Sequence, residues 1–195
     1  MHFLPDTEDA DAAAERFWPD AFKQVIQREL RPKIGEYLNE RSLEHIYQRQ
    51  YQDLYTDSRQ FVEKIIDMTM IGAVNGADRG FESIYQAFLA EASLPAPRPY
   101  ARYLWPHVFS GDIKTHIHQS IVLDYRPDDG FQHAYRVGYA KTYASYEEFI
   151  CYAAGLVVEA TEKGVDDMLG LIYRAFLARR PLPPARRNPK RLKQY

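Results

Sequence analysis

The residues Ile84 to Arg98, IYQAFLAEASLPAPR, return as Ile172 to Arg186, IYRAFLARRPLPPAR, and this recurrence constrains the fold more than any other feature of the chain. Ile84, Tyr85, Ala87, Phe88, Leu89 and Ala90 meet Ile172, Tyr173, Ala175, Phe176, Leu177 and Ala178 at a fixed offset of 88 residues. Leu94, Pro95 and Arg98 then meet Leu182, Pro183 and Arg186. Further back the same offset joins Phe61 to Phe149, Gly76 to Gly164 and Asp78 to Asp166, as well as His45, Tyr47, Tyr51 and Tyr55 to His133, Tyr135, Tyr139 and Tyr143. Earlier still it slips to 87, and Trp18, Pro19, Phe22, Ile26 and Ile34 meet Trp105, Pro106, Phe109, Ile113 and Ile121. A chain that repeats over this length is expected to hold one module twice. The expected units are an acidic lead at 1–13, copies at 14–99 and 100–187, and a basic tail at 188–195.

Each copy reads as helical. Phe81, Ile84, Tyr85, Phe88 and Leu89 recur at i, i+3, i+4, i+7 and i+8, the stripe of a half-buried helix, and Leu169, Ile172, Tyr173, Phe176 and Leu177 repeat it. Ser145 with Glu148, and Asp57 with Gln60, form capping boxes that predict helix starts near 58 and 146. Asn75-Gly76 and Lys163-Gly164 read as helix ends, with Asp78 and Asp166 capping the next helix. Pro95, and Pro181 with Pro183, should stop the last helix of each copy. About four helices per copy follow. Apart from Ser120 to Tyr125, no stretch alternates β-branched and polar residues over a strand length, so no sheet is expected. The fold class predicted is all-α and internally duplicated, with the two copies packed through their apolar faces about an approximate two-fold. Such an arrangement fits a monomer with internal symmetry or a homodimer.

Charge and cysteine usage narrow the setting. The formal charge of −2 conceals an acidic beginning, with six carboxylates in the first twenty residues, and a basic end. Cys151, the single cysteine, cannot form a disulfide within the chain, as expected in a reducing compartment. The opening MHFLPDTEDAD lacks the features of a secretory leader, and cytoplasm is the expected location. The longest nearly uncharged apolar run, Phe149 to Val158, falls short of the ~20 residues that span a bilayer, so no membrane association is expected.

Few residues point to chemistry. Asp112, His116 and His118 are the densest ligand-like group, although on a regular helix His118 turns away from His116. His45 and His133, if brought together by a two-fold, could hold a metal or haem. There is no HExxH, no phosphate-binding glycine loop and no cysteine pair for zinc, and neither cofactor nor metal is expected. Arg126 and His133, separated by six residues, resemble the Arg-x4-6-His element of HEPN-type ribonucleases, as do Arg102 and His107, separated by four. That resemblance implies an all-helical fold with Arg126 and His133 as catalytic residues at a dimer-like interface.

The basic tail, with Arg186, Arg187, Lys190, Arg191 and Lys193, suits phosphate neutralisation and implies nucleic acid as one partner. Pro181, Pro184 and Arg186 also fit a PxxPxR polyproline ligand. Tyr47, Tyr51, Tyr55, Tyr135, Tyr139 and Tyr143 lie at i, i+4 and i+8 in their segments, which stacks three phenols on one face of each. Phenols pack in a core or serve an interface, being amphipathic and losing little entropy on ordering. These six are the expected contacts of a protein partner, and the function expected is that of a non-enzymatic binding protein: an adaptor, inhibitor, immunity or accessory factor.

Overall fold

Two long helices cross at glycine positions, and the remaining elements are arranged around that crossing. The structure is a computed structural model that describes residues 20–39, 43–96, 115, 118–124 and 130–184. In chain order the elements are α1 (Asp20–Asn39), α2 (Leu43–Ile46), α3 (Ser58–Leu89), α4 (Gly130–Ala134) and α5 (Tyr146–Ala178). Helices α2 and α4 each continue into a π-helical turn, Tyr47–Tyr51 and Tyr135–Tyr139, and a third such turn covers Ser120–Asp124. No strand occurs among the described residues, and the segment from Ser120 that hinted at one is helical. None of their helices is long and apolar enough to cross a membrane.

Both long helices begin where the capping boxes place them. The Asp57 carboxylate accepts from the Gln60 N–H at 2.8 Å, while Gln60 Oε1 accepts from the Thr56 N–H at 2.7 Å. At the second start Ser145 Oγ accepts from the Glu148 N–H at 3.2 Å, and Glu148 reaches back to the Ala144 N–H at 2.7 Å. Two orphan donors are thus satisfied at each N-terminus.

The glycines do something other than end helices. α3 runs unbroken through Gly76 and α5 through Gly164, so the expected breaks are absent and Asp78 and Asp166 stand in helix interiors. Neither glycine has a positive φ. Gly72 lies against Gly164, Gly76 against Ala160 and Thr161, and Gly80 against Val157 and Ala160. Residue numbers rise on one helix as they fall on the other, so the pair is antiparallel. A Cβ at Gly76 would collide with the Ala160 carbonyl oxygen, and one at Gly164 with the Gly72 carbonyl oxygen. The backbones approach to where only hydrogen fits. The two helices expected on either side of each of these glycines are therefore one helix.

Around the crossing the core is continuous. Phe61, Ile65, Met68, Ala73, Phe81 and Ile84 of α3 are fully buried with Phe149, Ala153, Val157, Val165 and Ile172 of α5. Burial of each large side chain contributes about 1.5–3 kcal/mol. The two buried threonine hydroxyls return their hydrogen bonds to their own helices, Thr69 to the Ile65 carbonyl at 2.8 Å and Thr161 to the Val157 carbonyl at 2.7 Å. α1 lies on α3 through Leu30, Ile34 and Leu38, with the Arg31 guanidinium donating to Asp67 at 2.5 Å and to Glu63 at 2.6 Å. These partners are half exposed, so the fork orients α1 more than it stabilises it.

The long helices end ahead of the prolines, at residues in the left-handed region. Glu91 and Arg179, each with φ 51°, occupy positions 88 residues apart. The following N–H groups reach back to carbonyls of the last turn, Ala92 to Ala87 at 2.9 Å and Arg180 to Ala175 at 3.0 Å. This is the glycine-type C-terminal stop built without glycine.

Gly76→Ala or Gly164→Ala is expected to lower stability by about 2 kcal/mol or more, because a methyl pressed on a rigid carbonyl outweighs the ~1 kcal/mol helix-propensity gain. Gly155→Ala, where nothing lies within 4 Å of the added carbon, should instead raise stability by about 0.5–1 kcal/mol. Urea unfolding of the three variants measures this. Equal effects at all three sites would show that the close approach is not what the glycines are for.

Candidate protein-binding surface

Where each long helix starts, one phenylalanine gathers three tyrosines. Tyr47, Tyr51 and Tyr55 have ring centroids 5.9, 4.9 and 5.5 Å from Phe61, and Tyr135, Tyr139 and Tyr143 lie 5.8, 5.2 and 5.6 Å from Phe149. The interplanar angles run in the same order, 36°, 23° and 62° against 36°, 22° and 68°. The six tyrosines therefore do not line one straight helix face as the i, i+4, i+8 spacing suggested. Helical structure stops at Tyr51 and at Tyr139, and the chain folds back so that the third phenol of each set also reaches its phenylalanine.

The middle tyrosine of each set is a hook. Tyr51 Oη donates to the Arg180 carbonyl at 2.7 Å, 129 residues along the chain. Tyr139 Oη donates to the Ala92 carbonyl at 2.8 Å, 47 residues back. Each hook ties the hairpin that precedes one long helix to the chain leaving the other. Leu94 is buried behind the second hook, where Tyr152 also donates to the Pro95 carbonyl at 3.0 Å, and Leu182 packs on the core beside the first. Tyr51 and Tyr139 are accordingly core residues, removed from the set of surface contacts expected of the six tyrosines. Burial pushes the phenols of Tyr51, Tyr55, Tyr139 and Tyr143 above their ordinary value.

The other candidate residues are not gathered into one site. His133 is exposed with its ring edge-on to Phe88 at 6.0 Å, at the end of the helix pair where α3 finishes. His45 precedes the turn carrying Tyr51, at the opposite end, where Phe176 lies 6.2 Å from Phe61. Phe61 and Phe88 are 27 residues apart on α3, or about 40 Å at 1.5 Å per residue, so the two histidines do not face each other. His118 is half-buried, while Asp112, His116 and Arg126 lie outside the described residues, as do Arg102, His107 and the tail from Arg186 through Arg187, Lys190, Arg191 and Lys193. No group of three metal-ligating side chains occurs among the described residues. Cys151 is exposed on the outer side of α5. A cleft of about 390 Å³ opens between α1, α2 and the start of α3, with Leu38, Leu43, Val62 and Ile66 beneath a rim of Glu44, Arg59 and Glu63. Glu63 is already engaged by Arg31, and the lining has no histidine or cysteine to act as base or nucleophile.

What the sequence pattern did not disclose is an exposed apolar surface near the end of α5. Tyr173 is 50 % exposed although its counterpart 88 residues earlier, Tyr85, is 2 % exposed. Leu177, one turn further on the same side of α5, is 68 % exposed. Arg174, Arg179 and Arg180 surround them, exposed and without an ion pair to any described residue. A half-buried stripe repeated in sequence gave no signal that one copy of it would be open.

Tyr51→Phe and Tyr139→Phe should each cost about 1 kcal/mol, and by similar amounts, because each removes one hydrogen bond between a hairpin and the chain leaving a long helix, at nearly the same length. The phenols also set an alkaline limit. Their folded values lie above the unfolded one, so the protonated hydroxyls contribute their full stability below about pH 10 and lose it as the pH climbs through the folded values. The final part of the tyrosinate absorbance should accordingly rise together with loss of helical circular dichroism, and complete ionisation of the tyrosines in a fully helical protein would contradict the burial. Comparison of the chain with family models, with curated proteins and with solved structures returned no match.

Proposed function

We propose that this is a non-enzymatic protein-binding protein, an adaptor or inhibitor built by internal duplication, that engages its partner through the open end of α5. The duplication reading is supported by the hooks, since Tyr51 to Arg180 becomes Tyr139 to Ala92 when each residue is replaced by the one 88 positions away in the other half. It is supported again by Gly72 against Gly164 and Gly76 against Ala160, contacts that interchange under the same exchange, as expected of an approximate two-fold. The observation that carries the binding reading is the contrast of Tyr173 with Tyr85: a side chain enclosed in one half stands open in the other, with Leu177 beside it. Apolar side chains flanked by arginines have the composition of an interface centre and its rim. Cytoplasmic residence belongs to the same proposal, supported by an exposed, unpaired Cys151 suited to a reducing compartment.

One observation favours a second reading. Arg174, Arg179 and Arg180 lead along the sequence into Arg186, Arg187, Lys190, Arg191 and Lys193, a run of cations suited to a phosphate backbone. Deletion of residues 186–195 would then abolish a salt-sensitive band shift with nucleic acid.

A photo-crosslinking residue installed at Tyr173 should trap a protein partner in cells, while the same residue at Lys64, exposed on α3, should not. Leu177→Asp should reduce that product at least about tenfold, the loss expected when a buried interface anchor becomes charged, with thermal stability unchanged. Equal yields at 173 and 64, or a yield indifferent to Leu177→Asp, would refute the reading.

A further inference from the structure

The two ends of the antiparallel helix pair have the same build and opposite charge. At one end α5 finishes with the Tyr51 hairpin hooked to it; at the other α3 finishes with the Tyr139 hairpin hooked to it. Each end exposes a leucine at the equivalent place, Leu177 at 68 % and Leu89 at 47 %. Each adds an apolar residue from its hairpin, Leu54 at the first and Val137 at the second.

The charges beside these leucines differ. The last three turns and cap of α5, residues 168–180, carry Arg174, Arg179 and Arg180 and no carboxylate, whereas the equivalent residues 80–92 carry Glu82 and Glu91 and no cation. The hairpins do not alter this balance, because residues 47–60 and 135–148 each hold two cations and two carboxylates. Glu91 is poorly placed for the stability of its own helix. Its φ of 51° disfavours a side chain with a Cβ, and its carboxylate stands at the negative end of the α3 dipole. An acid kept there serves something other than α3.

We propose that a second copy of this chain is the occupant of these ends, with the arginine end of one molecule seated on the Glu91 end of the next. The proposal rests on the protein-binding reading and names a partner for its surface. Leu177 of one copy meets Leu89 of the other, and Arg179 and Arg180 face Glu82 and Glu91. The contact is heterologous, so it propagates into chains or closes into a ring instead of stopping at an isologous dimer.

Sedimentation velocity of the full chain tests this. Mass should grow with concentration past the dimer, and should fall back as ionic strength is raised from about 0.05 to about 0.5 M. Arg179→Glu/Arg180→Glu and, separately, Glu91→Arg should each weaken association at least about tenfold, yet an equimolar mixture of the two variants should associate, since only the mixture restores opposite ends. Glu91→Gly should raise Tm while also weakening association, which separates the contact from folding. A chain that stays monomeric, a mass that stops at dimer, or a mixture no better than its components would overturn the proposal. Heterologous crosslinking at position 173 from a protein that remains monomeric would overturn self-association and leave the binding reading standing.

Discussion

The contact on which the molecule depends is backbone against backbone. At Gly72, Gly76 and Gly164 two helices of more than thirty residues approach until main-chain atoms touch. Close approach along an antiparallel crossing brings the flanking side chains into register, and the contact of Phe61 on α3 with Phe176 on α5 follows from it. A separation greater by a methyl radius would open gaps along the whole interface, since dispersion falls steeply with distance. The hooks depend on the same spacing. Tyr51 reaches the Arg180 carbonyl, and Tyr139 the Ala92 carbonyl, only while the end of each long helix is held beside the start of the other.

Parts of this were legible in the sequence because the interactions behind them are local. The helix starts at 58 and 146 were readable from Asp57, Gln60, Ser145 and Glu148, whose bonds span three or four residues. The apolar stripes and the absence of strands among the described residues were readable for the same reason. Gly76 and Gly164 were misread as helix ends because a glycine that permits a left-handed turn and one that permits a close approach look alike until the neighbouring helix is in view. The real ends were missed for the converse reason. Glu91 and Arg179 adopt the left-handed conformation without being glycine, so nothing in their identity announces it.

The candidate surface was less legible than the fold. The six tyrosines drew notice by their spacing, but spacing cannot tell a phenol enclosed over Phe61 or Phe149 from one that faces solvent. Tyr51 and Tyr139 proved to be hooks buried in the core. Tyr85 and Tyr173 are identical in type and stand in the same frame, Ile-Tyr-x-Ala-Phe-Leu-Ala, yet one is enclosed and the other open. Exposure of that kind is a property of the tertiary structure, and no window along the sequence contains it.

The charged residues at the two left-handed positions bear on why the ends differ. Local backbone energetics favours glycine at both, by about 1 kcal/mol or more each, and the helix dipole further favours a cation at both. Arg179 agrees with the dipole and Glu91 opposes it. If the fold alone governed these sites, the proposed duplication would have left them alike, as it has left the tyrosine sets, the capping boxes and the hooks alike. Interior positions also differ at this offset, Thr69 against Val157 and Gly80 against Met168 among them, but those differences exchange one buried residue for another, whereas Glu91 and Arg179 are exposed. Divergence at an exposed position that is costly to its own helix supports the proposed contact with another molecule, and the sign of that divergence, carboxylate at one end and guanidinium at the other, would give that contact a direction.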